Sequence, residues 1–362
     1  MGYEIDFLPV GEESKGGDAI ALRYGNLRGS REEQTVVVID GGYTAAGELM
    51  VQHVKTHFGT DVVDMVISTH PDQDHVCGLE VVLEELQVRQ LLMHLPWKHS
   101  TALATAQRTA FKSAALSEVL EKSLAGASEL ESIALRKGIV IIEPFVGVGT
   151  SDGTLRIIGP PEDFYEEMLA SIQPPSAGQR IVGGLREALT KARELLVPES
   201  LEHETLRDDG QTSPQNSTSV ITLLTVDGRR SLLTGDAGIK ALENAAAVLE
   251  AEGHQPGSLQ FVQVPHHGSR RNVGPSVLDR LLGTKGTLEK IGTAFVSAPA
   301  KNPENRHPAK KVTNAFFRRG YPVHPTQGVA KWHSFQAPGR DTYSPCDPLP
   351  LYAQVEEDGG TQ

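Results

Sequence analysis

The sequence predicts one large α/β domain of sandwich type, and three observations predict it. Short apolar runs of strand character alternate with amphipathic helical segments along the 362 residues, these runs gather into an early and a late strand-rich portion, and a loop dense in histidine and aspartate follows one apolar strand directly. A chain of this length holds such a domain with insertions, or two modest domains, around a substantial core.

Taken in order, YEIDFLPV, DAIALRYG and TVVVID read as short strands, the last closing on Gly41-Gly42. A helix over Ala46 to Phe58 leads to the buried-type strand DMVISTH, whose end delivers His70. Junctions of that kind are where α/β folds place chemistry. Gly78 to Leu86 reads as helix and VRQLLMHL as strand. Ser100 to Lys137, rich in Ala, Leu, Glu, Lys and Ser and free of Pro, reads as one or two amphipathic helices. IVIIEPF and TLRIIGPP are expected to form a hairpin.

Glu162 to Pro198 returns to helical composition, broken by Pro174-Pro175 and Gly183-Gly184, and LEHETLRDDGQTSPQNS has the composition of a mobile loop. SVITLLTV and SLLTGD flank Asp227-Gly228 as a second hairpin. A helix over Ile239 to Glu252, the strands LQFVQVPHHG and TAFVSAP, the polar loop KNPENRHP, a helix near Ala309 to Arg319 and a strand pair around YPVHPT and GVAKWHSF complete the pattern. The expected organisation is a domain over 1–343, with helical insertions at about 98–137 and 162–213, and a tail over 344–362.

Composition narrows the function. No apolar run approaches the roughly 20 residues that span a bilayer, and the acidic N-terminus lacks the basic segment of a signal peptide, so a cytoplasmic protein with no membrane contact is expected. Cys77 and Cys346 are too few for a disulfide framework, so any metal must be held by histidines and carboxylates. The net charge of -12 argues against broad charge-driven binding to long duplexes. Arg270-Arg271, Lys301, Arg306, Lys310-Lys311 and Arg318-Arg319 form either a local basic groove or a solvated face.

The densest chemistry lies in His70-Pro-Asp72-Gln-Asp74-His75, four potential ligands in six residues. Imidazole nitrogens and carboxylate oxygens suit zinc, manganese or iron, and alternate residues of an extended loop can face different ions. Read as structure alone, the same loop would cap a helix with Asp74 as N-cap. Asp236 after SLLTG, the His266-His267 pair, and the polar Asn216, Ser219, Ser269, Lys301, Asn302 and His307 are the other candidates. His53 and His57 share a helical face at i, i+4 but show no carboxylate partner in sequence, and His94 and His99 read as packing residues.

Through PVGEESKGGDAIAL, VVVIDGG, STHPDQDHVCGL, NSTSVITLL, SLLTGD, VQVPHHGS and SAPAKNPENRHP the chain resembles the metallo-β-lactamase superfamily, and within it most closely the hydrolase domain of the competence protein ComEC. The resemblance covers most of residues 3 to 335 and departs at Glu12 to Lys15 and at the two insertions. It implies an αββα sandwich: two mixed sheets face to face, helices outside, metals at one edge. It further implies His70 and Asp72 on one metal, Asp74, His75 and His267 on the other, and Asp236 bridging. Asp74, His266 and His307 would be catalytic, with His266 either a ligand itself or a donor to substrate phosphate, and His307 either an acid for the leaving group or a phosphate contact. Asn216, Ser219, Ser269, Lys301 and Asn302 would line the cleft. Asp40 is either a buried acid bracing the ligand loop or an ordinary strand-end turn former.

Many superfamily members carry a further histidine where this chain has Gln215, Asn216 and Ser217. The first site is thus expected to be oxygen-rich and weaker, with zinc or manganese as the divalent cofactor and one or two ions bound. The expected function is metal-dependent phosphodiester hydrolysis, a nuclease acting on DNA or another nucleic acid. The alternatives are a hydrolase of a small anionic ester such as a cyclic nucleotide, or a regulatory binding module with a degraded metal site.

Overall fold

The computed structural model describes residues 1–10, 16–99, 101, 114–172, 196–300 and 307–356, with side chains between 114 and 123 left aside. Strands β1 (Gly2–Phe7), β2 (Ala19–Gly25) and β3 (Gln34–Gly41) form an antiparallel meander and are followed by α1 (Thr44–His57). Next come β4 (Val62–Val63), β5 (Met65–Ile67), α2 (Gln73–Glu85), β6 (Gln87–Val88) and β7 (Gln90–Leu92). The first insertion is α3 (Ala114–Lys137), and β8 (Val140–Ile142), β9 (Leu155–Gly159) and α4 (Glu162–Ala170) come after it.

The second half runs through β10 (Leu196–Pro198), the short α5 (Pro214–Ser217), β11 (Ile221–Val226), β12 (Arg229–Leu233) and α6 (Ile239–Ala251). It continues with β13 (Leu259–Gln263), α7 (Pro275–Leu282), β14 (Thr293–Val296) and α8 (Lys310–Arg318). β15 (Val323–Pro325), β16 (Lys331–Phe335) and β17 (Gln354–Glu356) end the described chain.

Two mixed sheets result, one ordered β16-β1-β2-β3-β5-β7-β8 and the other β15-β14-β13-β12-β11-β9. Their strands are apolar on both faces because both faces are covered. In β3, Val37 and Ile39 point into the core between the sheets while Val36 and Val38 meet α1 and α2. In β11, Leu224 and Val226 face the other sheet and Ile221 and Leu223 the outer helices. Phe7, Phe261 and Phe295 interlock edge to face between the sheets, with centroids 5.1 to 5.9 Å apart. This is the αββα sandwich, and its parallel strands all end at one edge.

Five sequence expectations need correction. IVIIEPF and TLRIIGPP do not form a hairpin: β8 pairs with β7 in one sheet and β9 with β11 in the other, so the connection crosses between layers. YPVHPT and GVAKWHSF divide in the same way, β15 joining β14 and β16 joining β1. Local strand grammar is identical in both cases, and only the second face of each strand decides its sheet.

The polar stretch after 199, expected as mobile, is tied down. Glu199 pairs with Arg318 at 2.9 Å, both fully shielded, Glu204 pairs with Arg319 at 2.9 Å, and Asp208 accepts from Ser276. Lastly, the segment expected as a tail contributes β17, which pairs with β10, and Glu356 accepts from the Lys310 amide at the start of α8. His53 does have a carboxylate partner, Asp6 of β1 at 3.2 Å.

Candidate metal centre

The ligand loop opens at the end of β5, and its form differs from the extended loop that the sequence suggests. Asp72, not Asp74, is the N-cap of α2, its carbonyl accepting from the His75 and Val76 amides, so Asp74 and His75 stand on the first helical turn. His70 and Asp72 remain in the loop. The helix turns Asp74 and His75 toward the second sheet, where the loop after β12 supplies Asp236 and the loop after β13 supplies His266 and His267.

Asp236 is the hub. Its Oδ1 lies 3.6 Å from His75 Nε2 and 3.9 Å from His267 Nε2, while its Oδ2 lies 3.5 Å from His266 Nε2 and 3.8 Å from His70 Nε2. Asp74 stands 3.8 Å from His267 Nε2, and Asp72 3.6 Å from His70 Nε2. Asp74, His75 and His267 converge with every donor atom within 4.8 Å of the others.

The chain's own hydrogen bonds assign the ring tautomers. Asp40 accepts from His75 Nδ1 at 2.7 Å and from Thr69 N and Oγ1 at 2.8 and 2.6 Å. Thr69 Oγ1 spends its hydrogen on Asp40, so at 3.0 Å it accepts from His70 Nδ1. His266 Nδ1 donates to Asn272 Oδ1 at 3.0 Å, since the amide end of Asn272 is turned to the Asp236 carbonyl. In its neutral form each of these histidines therefore carries its lone pair on Nε2, toward Asp236.

Lone pairs facing carboxylate oxygens repel unless a cation lies between them. The Nε2 atoms of His70, His75 and His267 and Oδ1 of Asp236 are buried without a hydrogen-bond partner among the described residues, which is the condition a bound divalent ion would relieve. Electrostatics agrees. Burial alone would lower the His75 imidazole, but Asp236 and Asp40 hold it well above its ordinary value. Burial alone would raise the Asp236 carboxyl, but His75, His267 and His266 hold it well below the usual carboxylate range. The residues fit a metal of mixed nitrogen and oxygen preference.

The backbone is bent to make this arrangement. His266 and His267 both occupy left-handed conformations, with φ of 47° and 54°, which bulky residues adopt at a cost of about 1–3 kcal/mol each. Gly17, at φ 130°, brings the chain so close that a Cβ there would fall on the Asp74 carbonyl.

Asp18, which follows it, is 2% exposed, accepts from Gln263 at 2.8 Å and groups with Asp236 and His267. Sequence reasoning missed Asp18, Thr69 and Asn272. The only signal for Asp18 was the Gly16-Gly17 step before a strand, which reads equally as a turn.

The candidate cleft residues divide. Asn216 Nδ2 lies 3.4 Å from Asp236 Oδ2 and from His266 Nε2, inside the cluster. Ser219, expected from sequence to line the cleft, is fully buried and accepts from the Asp236 amide, so it supports the ligands from behind. Ser269 is buried and accepts from the Arg271 amide, shaping the turn after the pair. His307 stacks parallel to His266, centroids 6.4 Å apart. Lys301 and Asn302 lie outside the described residues.

A sandwich of two mixed sheets with imidazoles and carboxylates meeting at one edge defines a metal-binding hydrolase fold. The chain belongs to the metallo-β-lactamase superfamily, whose family model matches residues 31–281. No curated protein matches it.

Three similar solved structures are distant. A putative metallo-β-lactamase from Thermotoga maritima is 10% identical with a TM-score of 0.33, covering 65% of this chain and 79% of its own. The CmlA β-hydroxylase E377D mutant is 11% identical with a TM-score of 0.44, covering 92% and 54%. The hydrolase AbOPH of the β-lactamase superfamily is 14% identical with a TM-score of 0.30, covering 60% and 56%. The chain thus spans little more than half of the latter two.

Proposed function

We propose that the protein hydrolyses phosphodiester bonds with divalent cations, manganese or zinc, held around Asp236. The observation that carries this reading is the set of imidazole Nε2 atoms arrayed on both oxygens of one buried carboxylate. His75, Asp74 and His267 would hold one ion and His70, Asp72 and His266 the other, with Asp236 shared. In this reading His266 supplies the nitrogen that the Gln215 to Ser217 stretch lacks.

Bound there, the cations would activate a water and neutralise the oxygens of a diester during displacement. Asp74, on the open side of α2, would accept a hydrogen bond from that water. His307 is neutral at pH 7, its imidazole lowered to about 4 by desolvation and by His267 and His266, so it would donate a hydrogen bond to a phosphate oxygen and not act as a charged acid. Asn216 would hold Oδ2 of Asp236 in place.

Two substrate directions remain within this reading. The motif resemblance to the ComEC-type domain and the basic residues near Arg270 favour nucleic acid. The net charge of -12 and an apolar cavity against His70 favour a compact anionic ester. The test is turnover of bis(p-nitrophenyl) phosphate by metal-loaded protein, abolished in Asp74→Ala and Asp236→Ala. Linear, circular and single-stranded DNA assayed beside a cyclic dinucleotide separate the two directions. Protein that carries metal yet turns over no phosphodiester overturns the proposal.

A further inference from the structure

Beside the metal ligands the described residues line an apolar cavity of about 40 Å³. Val76 and Met93 belong to the sandwich, Ala127 to the first insertion, and Met168 and Leu169 to the second, so the cavity exists because the two insertions close over the sandwich edge. His70, whose Nε2 faces the metal cluster, forms part of its wall.

The lining is largely apolar, and of the polar side chains in it (Ser68, His70, His94, Tyr165, Gln215 and Thr218) His94 is the one with both polar atoms buried and unpartnered among the described residues. His94 is 8% exposed, its ring lies over Tyr165 at 4.3 Å and 24°, and neither ring nitrogen has a hydrogen-bond partner among the described residues. A buried imidazole carrying one donor and one acceptor without partners is held at a cost that a bound group can relieve.

We infer that this cavity binds an uncharged apolar substituent of the substrate, a short alkyl or acyl chain, whose single polar atom is hydrogen-bonded by His94. That the occupant is part of the substrate rests on the hydrolase reading above, because only the shared wall at His70 places it beside a bond to be cleaved. The volume is several times what a water needs and well below that of a cavity that takes a ring, so it suits a short chain. A nucleobase is larger than the benzene ring that a cavity of roughly 150 Å³ admits, so it does not fit a volume of about 40 Å³.

His94 is fit for a neutral partner: burial, with His99 nearby, lowers its imidazole to about 3, so it carries no charge at pH 7. Each methylene removed from water strengthens binding about fourfold.

The methionines provide the test. Met93 and Met168 line the cavity, whereas Met50 and Met65 are buried in other parts of the core. Full-length protein labelled with ¹³C at methionine methyls and stripped of metal is titrated with butan-1-ol, ethanol and thymine. Saturable shifts of Met93 and Met168 alone are expected, with butan-1-ol about 15-fold tighter than ethanol and thymine without effect. Shifts spread equally over Met50 and Met65, or thymine binding as well as butan-1-ol, overturn it.

His94→Leu, with its methyl spectrum as the check of fold, keeps the response to 1-chlorobutane and loses the preference for butan-1-ol. A preference that survives overturns the role of His94. Because the titration involves neither metal nor turnover, a positive result beside absent phosphodiester hydrolysis overturns the reading of the metal site and not that of the cavity.

Discussion

Asp40 Oδ2 accepts from His75 Nδ1 at 2.7 Å, and this one bond aims Nε2 of His75 at Asp236, 3.6 Å away, as the nitrogen that can bind an ion. Asp40 itself sits at φ 54° and is fully buried, with Thr69 occupying its remaining lone pairs. Although it groups spatially with His70 and His75, its oxygens are engaged, so it orients a ligand and does not serve as one.

Asp40→Asn therefore lowers the affinity for the ion on His75 by about 10–100-fold while the ligands themselves stay in place. Competition of the stripped protein against a metallochromic chelator measures this, and an affinity unchanged from wild type refutes the bracing role.

His266 stands on the Oδ2 side of Asp236 and His267 on the Oδ1 side. His266→Ala is expected to weaken one ion at least tenfold and leave the other within a few-fold, whereas His267→Ala weakens the opposite one. Electron paramagnetic resonance of manganese-titrated variants resolves single from coupled ions, and identical behaviour of the two variants contradicts the division.

Gly17→Ala tests the close approach. A Cβ at φ 130° meets the Asp74 carbonyl, so the backbone must move and carry the first turn of α2 with it. The expected loss is more than about 1 kcal/mol of stability together with reduced metal affinity. Gly59→Ala has φ 67° but no atom within 4 Å of its Cβ, and serves as the control that loses stability alone.

Acid sensitivity follows from the buried neutral histidines. His94 is lowered to about 3 and His324 and His333 to about 4, burial being the first cause in each. Above the ordinary value near 6.5 these groups are neutral in both folded and unfolded chains and stability does not depend on them. As pH falls from 6.5 toward 4, the unfolded chain takes up protons that the folded chain does not, and stability falls. His94→Leu removes about 1.4 kcal/mol per pH unit from that slope. Urea unfolding at pH 7, 6 and 5 reads it, and a slope equal to wild type contradicts the assignment.

Much of the site was legible because its ligands are short-range. His70, Asp72, Asp74 and His75 lie within one turn of a strand end, and the Asp227-Gly228 hairpin announces the strands that lead to Asp236. The residues that escaped are those whose meaning is long-range. Asp18 meets Asp236 and His267, and Asn272 sets the tautomer of His266, only once the two sheets are closed. The same closure placed β8 and β9 in different sheets, and the buried Arg318 and Arg319 pairs tied down a loop whose composition suggested mobility.

The number of ions that the cluster holds decides between a shared and a single site at Asp236. Stripped protein is titrated with manganese and with zinc, and bound metal per chain is measured for wild type and Asp236→Ala. Two ions per wild-type chain, one tighter than the other, and loss of at least one in Asp236→Ala are the expected result. Wild-type protein that binds neither metal, or a variant that binds as wild type does, would contradict it.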